Sequence, residues 1–342
     1  MHATTIIRYA SVGDDSVMDR RTFVCAAVYG ILAVPLVARA QTATTVRRIG
    51  WLSPGARRPP IELEQQVAPL RELGWIEGQN LLIERRYAGR PELLRSYAEE
   101  LVRLKVELIV TEGTDATLAA KNATNAIPIV IRSAGDPVRT GLVASLARPG
   151  GNITGYSIAG PETSSKSIAL LRELLPGLQR VGVLENSTNS FYRALRKDLE
   201  AACRSVGIQP IFVEVAVASE LPTAIADAAR QSAQALIVQN DRLFSDNQVE
   251  IMRVALTDAL PTEADGVDML EAGALISFNY SVTELRRRGA VFIDKILRGS
   301  KPADLPIEQP TQFEFGINLK TAKALGITIP QSLLLRADVV LQ

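Results

Sequence analysis

Histidine and cysteine are almost absent from this sequence of 342 residues. It has one histidine, His2, and two cysteines, Cys25 and Cys203. His2 and Cys25 fall in an N-terminal stretch that has the pattern of a removable export signal, so the mature chain would keep only Cys203 and could form no internal disulfide. Without histidine, Ser-His and Cys-His catalysis and zinc sites with imidazole ligands are excluded. We therefore predict no catalytic residues, no metal and no cofactor, and expect Cys203 to be a buried, unreactive thiol.

Long apolar runs, phosphate-binding glycine motifs and an excess of charge are also missing. The net charge is +1, and no basic stripe with interleaved aromatic residues occurs, which argues against a nucleic-acid partner. After the N-terminal region no stretch reaches the ~20 apolar residues that a membrane span needs. No G-x-G-x-x-G or G-x-x-x-x-G-K-[ST] follows a predicted strand, so the dinucleotide-binding and P-loop classes are excluded. The length and the 47% hydrophobic content predict a globular protein of about two domains.

Residues 1–40 are predicted to be an upstream extension followed by a cleaved export signal. Arg20-Arg21 precedes an apolar run that continues to Val37, and Ala38-Arg39-Ala40 has small residues at the positions that signal peptidase recognises. We expect cleavage between Ala40 and Gln41 and export to the periplasm by the twin-arginine or the Sec route. The polar residues before Met18 fit no signal, which favours Met18 over Met1 as the start of translation.

Two parts of the chain carry the same order of predicted elements. Strands that begin at Arg48 and Arg180, and helices that end at Gly74 and Gly207, are separated by nearly the same interval, about 130 residues. Each part is typical of a βαβαβ unit, so the sequence predicts an α/β fold of two doubly wound lobes.

A glycine-rich stretch between the two parts, residues 148–155, is the candidate joint. Gly150, Gly151 and Gly155 permit backbone angles that other residues avoid, and Pro149 fixes the direction of entry. A turn within one large sheet would have the same composition, so that alternative stays open.

Candidate ligand-binding residues follow the predicted strands, because ligands of open α/β sheets bind at the carboxyl ends of the strands. They are Ser53, Gly113, Thr114 and Asp136 in the first part, and Asn186, Asn189, Asp241, Asp265 and Tyr280 in the second. The same residue types also cap helices and turns, so each has a purely structural alternative. For an amino-acid ligand, we expect the carboxylate near Gly113 and Thr114 at a helix N-terminus and the ammonium at Asp136 or Asp241.

Four segments carry a resemblance to a known family. They are LRELGWIEGQN at 70–80, GDPV at 135–138, GLVASLARPGGNITG at 141–155, and a C-terminal part that runs from DKIL at 294–297 to NLKTAKALG at 318–326. In these segments the chain resembles the substrate-binding proteins of ABC importers, in the group that includes tryptophan and phenylalanine binders. It departs from them at Glu263-Ala264-Asp265, where relatives often carry an aromatic or Gly-Phe-Arg-Glu segment.

The resemblance implies a type I periplasmic-binding-protein fold whose lobes are joined by three crossings, near residues 153, 279 and 312. Lobe one is then expected at 46–153 plus about 280–311, and lobe two at 156–278 plus about 313–342. The implied hinge residues are Asn152, Ile153, Thr154, Gly155, Asn279 and Gln312.

The function that we predict is that of an exported, monomeric solute-binding protein. Its lobes would close on a small organic ligand, such as an amino acid, and deliver it to an ABC permease in the inner membrane. Two alternatives remain: an exported α/β enzyme that uses Asp136 and Asp241 as acid and base, and a ligand-sensing domain for a membrane kinase.

Overall fold

The computed structural model of the chain describes residues 46–158 and 161–342. The expected export signal, with its cleavage position, lies outside these residues. The strands are β1 (Arg47–Ser53), β2 (Leu81–Tyr87), β3 (Leu108–Glu112), β4 (Ile129–Ala134), β5 (Ile153–Ser157), β6 (Arg180–Asn186), β7 (Gln209–Val215), β8 (Leu236–Val238), β9 (Thr262–Ala264), β10 (Ile276–Tyr280), β11 (Phe313–Asn318) and β12 (Val339–Leu341). The α-helices are α1 (Pro60–Glu72), α2 (Leu93–Arg103), α3 (Thr114–Ala123), α4 (Pro161–Leu174), α5 (Ser190–Ser205), α6 (Leu221–Arg230), α7 (Arg242–Asp246), α8 (Gln248–Thr257), α9 (Gly266–Ala272), α10 (Val282–Leu297), α11 (Leu319–Ala324) and α12 (Gln331–Leu334).

The first sheet has five parallel strands in the order β2-β1-β3-β4-β5. Every residue of β3 is buried, as expected for a central strand of a parallel sheet with helices on both faces. One face packs against α2 and α3. The other packs against α1 and α10, although α10 follows β10 of the second sheet in the chain.

The second sheet repeats this arrangement and adds two strands. Its order is β12-β11-β10-β9-β8-β6-β7, so β6 to β10 are placed as β1 to β5 are in the first sheet. All neighbours are parallel except β10 and β11, which run antiparallel. Helices α6, α8 and α9 cover one face, and α4, α5, α11 and α12 contribute to the core on the other. The repeated topology confirms the α/β class of two doubly wound units.

The chain leaves the first sheet slightly later than the sequence suggests. Tyr156 and Ser157, expected at the start of lobe two, belong to β5, where Ser157 pairs with Ala134. The helix α10 lies on the first sheet, and β11 lies in the second. No helix in the described ranges is long and apolar enough to cross a membrane.

Candidate functional site

A cavity of about 960 Å³ is lined by residues that follow strands of both sheets. The first sheet contributes the loop after β1 and the ends of β3 and β4. The second contributes residues after β8 and β9, together with residues of β10 and β11. This position agrees with the rule that ligands of open α/β sheets bind beyond the carboxyl ends of the strands. We call this space the cleft.

On the first-sheet side, a buried carboxylate organises a group of arginines. Glu112, the last residue of β3, is 4% exposed. Its carboxylate accepts hydrogen bonds from Ser53 Oγ at 2.9 Å and Trp51 Nε1 at 3.2 Å. It also pairs with Arg58 at 2.7 Å and Arg132 at 2.8 Å. Burial alone would raise the pKa of Glu112, but the charges of Arg132 and Arg58 outweigh it and hold that pKa well below the usual range.

Arg132 has more hydrogen-bonding capacity than Glu112 uses. The Arg132 residue is 7% exposed and lies 5.5 Å from the centre of the Trp51 ring. Its Nε and Nη1 atoms are buried and have no hydrogen-bond partner in the described part of the chain. Arg286 of α10 also lines the cleft and has a buried Nε without a partner there. A buried unpaired donor costs about 1–3 kcal/mol, so this wall of the cleft is suited to an anionic oxygen of a ligand.

On the second-sheet side, the cleft holds a carboxylate that has no counter-ion among the described residues. Asp265 occupies the N-cap position of α9 but accepts no capping hydrogen bond. Its Oδ2 atom is buried and has no partner among the described residues. Burial, and then the charge of Glu263, raise the pKa of Asp265 well above its usual range. This wall is therefore suited to a cation of a ligand.

Tyr280, at the end of β10, lines the cleft together with Arg132 and Asp265. Its hydroxyl accepts a hydrogen bond from Asn240 Nδ2 at 2.5 Å. Burial, followed by the charge of Asp265, raises the pKa of Tyr280, while the charge of Arg132 lowers it by a smaller amount. Residues of both walls therefore border the same space.

The structure brings five of the nine predicted ligand-binding residues to the cleft: Gly113, Asn189, Asp241, Asp265 and Tyr280. Asp241 already has its acceptors occupied, because it caps α7 through the amide of Leu243 and accepts hydrogen bonds from Asn186 and Asn189 at 2.9 and 2.8 Å. Asn186 does not line the cleft, but it donates a hydrogen bond to Asp241, which does.

All four predicted residues of the first lobe are engaged with the protein itself. Ser53 donates to Glu112. Thr114 accepts from the amide of Gly135 at 3.1 Å, and the amide of Gly113 donates to the carbonyl of Ser133 at 2.5 Å. Asp136 lies outside the cleft lining and accepts hydrogen bonds from the amides of Val138 and Arg139, so it caps its own turn. The contacts of these residues are those of a purely structural role, in which they form hydrogen bonds within the protein.

The predicted hinge residues lie within or beside strands. Ile153, Thr154 and Gly155 belong to β5 and pair with Ile129 to Ile131 of β4. Asn152 donates to the carbonyls of Thr124 and Ile127. In the second sheet, Asn279 lies in β10 opposite Glu314 of β11, and the carbonyl of Gln312 accepts from the amide of Ser281 at 3.4 Å. Their role as a hinge stays a prediction.

Sequence reasoning missed the arginines and Glu112. Arg132 stands in an apolar strand, IVIRSA, and a lone charge within such a run is a signal of a paired or ligand-binding group. Arg286 belongs to an Arg-Arg-Arg run that is typical of a solvated helix face.

No group of three or more His, Cys, Asp or Glu side chains in the described ranges could hold a metal ion. Burial raises the pKa of the Cys203 thiol to about 11, in keeping with an unreactive residue.

Comparison with known proteins identifies the family. A family model described as ABC transporter substrate binding protein matches residues 66–341. The chain belongs to this family. A tyrosine-binding protein of Clostridioides difficile (strain R20291) is 27% identical over 262 residues, which cover 76% of this chain and 75% of that protein.

Two solved structures of substrate-binding proteins are similar over 87% of this chain and 100% of their own length, each at 25% identity. One is a domain from Streptococcus pneumoniae in complex with L-Trp, with a TM-score of 0.80. The other is the ligand-free, open structure of a substrate-binding protein with adhesive properties from Clostridium difficile, with a TM-score of 0.62. The fold is the type I periplasmic-binding fold predicted from the sequence.

Several contacts join parts of the chain that belong to different sheets. The amide of Ala56, in the loop after β1, donates to Asp246 of α7 at 3.2 Å. Ser190 of α5 donates to Asp115 of α3 at 2.8 Å, and Arg139 pairs with Asp198 of α5. We call these contacts the bridges.

Proposed function

We propose that this substrate-binding protein is exported to the periplasm, takes up an amino acid as a zwitterion and delivers it to the permease of its ABC transporter. The observation that carries the proposal is the pair of unsatisfied, oppositely charged groups in one cleft, Arg132 and Asp265. The ligand carboxylate would accept from Arg132 and Arg286, and the ligand ammonium would donate to Asp265. The tyrosine- and tryptophan-binding relatives support an amino acid as the ligand class.

This orientation differs from the one expected from the sequence. Gly113 and Thr114 are engaged with Ser133 and Gly135, and Asp136 and Asp241 are engaged with caps and amides. Asp265 has a buried oxygen without a partner in the described residues, so it gains most from an incoming ammonium.

The test is calorimetric titration with the twenty L-amino acids and, for the tightest binder, with analogues that lack the amino or the carboxyl group. Removing one partner of a desolvated charge pair costs about 2–5 kcal/mol, so Asp265→Asn and Arg132→Gln are each expected to weaken binding at least ~30-fold. Arg286→Gln tests the second arginine of this wall, which is less buried than Arg132. Thermal unfolding checks that each variant is folded.

Asp136→Asn is the matched control, because it removes a first-lobe carboxylate outside the cleft. Asp136 pairs with the partly exposed Arg139 at 3.6 Å, so the loss of affinity should stay within roughly fivefold. An equal loss in Asp136→Asn and Asp265→Asn would show that this assignment of the cleft is wrong. A protein that binds none of the twenty amino acids would contradict the proposed ligand class.

A further inference from the structure

The carboxylate that faces the cleft has a second carboxylate behind it. Residues 263 and 265 are two apart along extended backbone at the end of β9, so their side chains lie on the same face of the sheet. Glu263 is 3% exposed and accepts a hydrogen bond from Ser167 Oγ of α4 at 2.9 Å. In the part of the chain that the structure describes, neither carboxylate has a Lys or Arg within 4.0 Å.

Most of the groups that interact with this pair are neutral or acidic. Tyr192 of α5 is 2% exposed and donates its hydroxyl hydrogen to the carbonyl of Asn240, and its pKa is raised by burial, then by Asp241 and Asp265. In the neighbouring strand β10, burial and then the charge of Asp265 raise the pKa of Tyr280, and the charge of Arg132 lowers it by a smaller amount. Lys166, next to Ser167 in α4, lies 5.1 Å from the centre of the Phe313 ring. Glu185, which also raises the pKa of Tyr192, is acidic.

Two adjacent buried carboxyl groups without a cation cannot both be ionised at low cost, so the pair keeps a proton. Burial raises the pKa of Glu263 to about 7 although its bond from Ser167 opposes the shift, and the charge of Glu263 in turn adds to the raised pKa of Asp265. A ligand ammonium that contacts Asp265 supplies the missing positive charge.

We propose that Glu263 is a positioning residue that acts through Asp265: the two carboxyl groups share a proton in the empty cleft and release it when an ammonium group binds. The inference rests on the proposed amino-acid function. On binding, the carboxylic acid of the pair gives its proton to the buffer, the carboxylate that forms accepts N–H donors from the ligand ammonium, and no covalent bond other than O–H is broken. Affinity should therefore increase as pH rises towards neutrality and then level off.

The first test measures protons released on binding. The L-amino acid that binds most tightly in the panel is titrated at about pH 6 in buffers that differ in ionisation enthalpy, where we expect release of about one proton per site. At about pH 9 the release should be smaller, because a larger fraction of the pair is then ionised before binding. A proton count near zero at both pH values, with binding intact, would overturn the inference and leave the proposed function standing.

Variants separate an electrostatic role of Glu263 from a merely structural one. In Glu263→Gln, Asp265 loses its acidic neighbour, so we expect proton release at about pH 6 to fall and the pH dependence of affinity to flatten, with affinity at about pH 9 within roughly threefold of the unmodified protein. Ser167→Ala removes the hydrogen bond that favours ionised Glu263 and should move the pH dependence to higher pH. Glu185→Gln is the control, since Glu185 is 2% exposed and has a raised pKa from burial but lies outside the cleft lining.

Two results would contradict the inference. One is an equal loss of affinity at all pH values in Glu263→Gln with unchanged proton release, which would indicate a structural role. The other comes from carboxyl-carbon NMR of the ligand-free protein, in which a resonance that titrates near pH 7 should disappear in Glu263→Gln; its absence from the unmodified protein would overturn the shared proton. The NMR result needs no ligand, so it is independent of whether an amino acid binds.

Discussion

The single buried carboxylate of Glu112 pairs with two arginines, whose positive charges would otherwise repel each other without compensation. Arg58 and Arg132 approach it from different elements, and the nearby Arg286 adds a further positive charge. The arrangement leaves part of the Arg132 guanidinium unsatisfied on the side of the cleft. Glu112 thus compensates the charges of both arginines and holds them at the cleft.

Replacing Glu112 with Gln should strongly destabilise the protein. Breaking a buried ion pair by removing one partner costs about 3–5 kcal/mol, because the remaining charges stay buried without compensation. Since the pKa of Glu112 is lowered in the folded state, its stabilising contribution is present above the ordinary Glu pKa and is lost as pH falls through the lowered value. Urea unfolding at pH 7 gives the free energy of unfolding for each variant.

Glu107→Gln is the control for that measurement. Glu107 pairs with Arg47 at 2.5 Å, but both side chains are more than a third exposed, so its loss should cost at most about 1 kcal/mol. Similar losses in the two variants would show that the Glu112 cluster is not a buried network.

The candidate site was only partly predictable at this scale. Asp265 was found because it follows a strand. Asp136 and Asp241 follow strands equally well, but sequence does not show that amides of Val138, Asn186 and Asn189 occupy them. Arg132 was not predicted as a site residue. The hydrophobic pattern identifies its strand, but it does not show which groups one polar side chain in that strand contacts.

Among the elements, β5 places on Gly155 a packing requirement that composition alone does not reveal. Gly155 was expected to provide flexibility, yet it lies in the strand with φ of 129°, and a side-chain carbon there would overlap the carbonyl oxygen of Ile131. The glycine is needed for close approach of two backbones as well as for its backbone angle.

We expect Gly155→Ala to destabilise the protein by more than about 2 kcal/mol, because it combines a strained backbone with a steric overlap. Gly151→Ala is the control in the same stretch, since nothing lies within 4 Å of its added carbon. Urea unfolding compares the two, and equal free energies of unfolding would favour the interpretation of residues 148–155 as an ordinary flexible linker.

The repeated strand order was the most predictable element-scale feature, because it depends on patterns that recur over whole strands and helices. The short helices α7 and α8 and the edge strand β12 were not predicted. Each is short or follows a polar loop, so its apolar periodicity is weak, and contacts with the rest of the fold decide its structure.

At the scale of the whole molecule, the proposed function implies a balance between open and closed arrangements of the cleft. A protein whose binding-competent form is only partly populated binds its ligand more weakly by that fraction. The Arg139–Asp198 pair joins the turn after β4 to helix α5 of the other sheet without lining the cleft, so it should influence affinity without touching the ligand.

Asp198→Asn tests this balance. Both side chains of the Arg139–Asp198 pair are 37% exposed, so the pair is expected to contribute about 0.2–1 kcal/mol, which limits the loss of amino-acid affinity to roughly fivefold. Small-angle scattering of the ligand-free variant should show a larger radius of gyration, which the tightest-binding amino acid reverses. Glu200→Gln is the control, because Glu200 lies in the same helix α5 and pairs with Arg204 of that helix at 3.2 Å. If the two variants have the same affinity and the same radius of gyration, the Arg139–Asp198 pair does not hold the cleft closed, and the closed arrangement depends on the ligand and the remaining bridges.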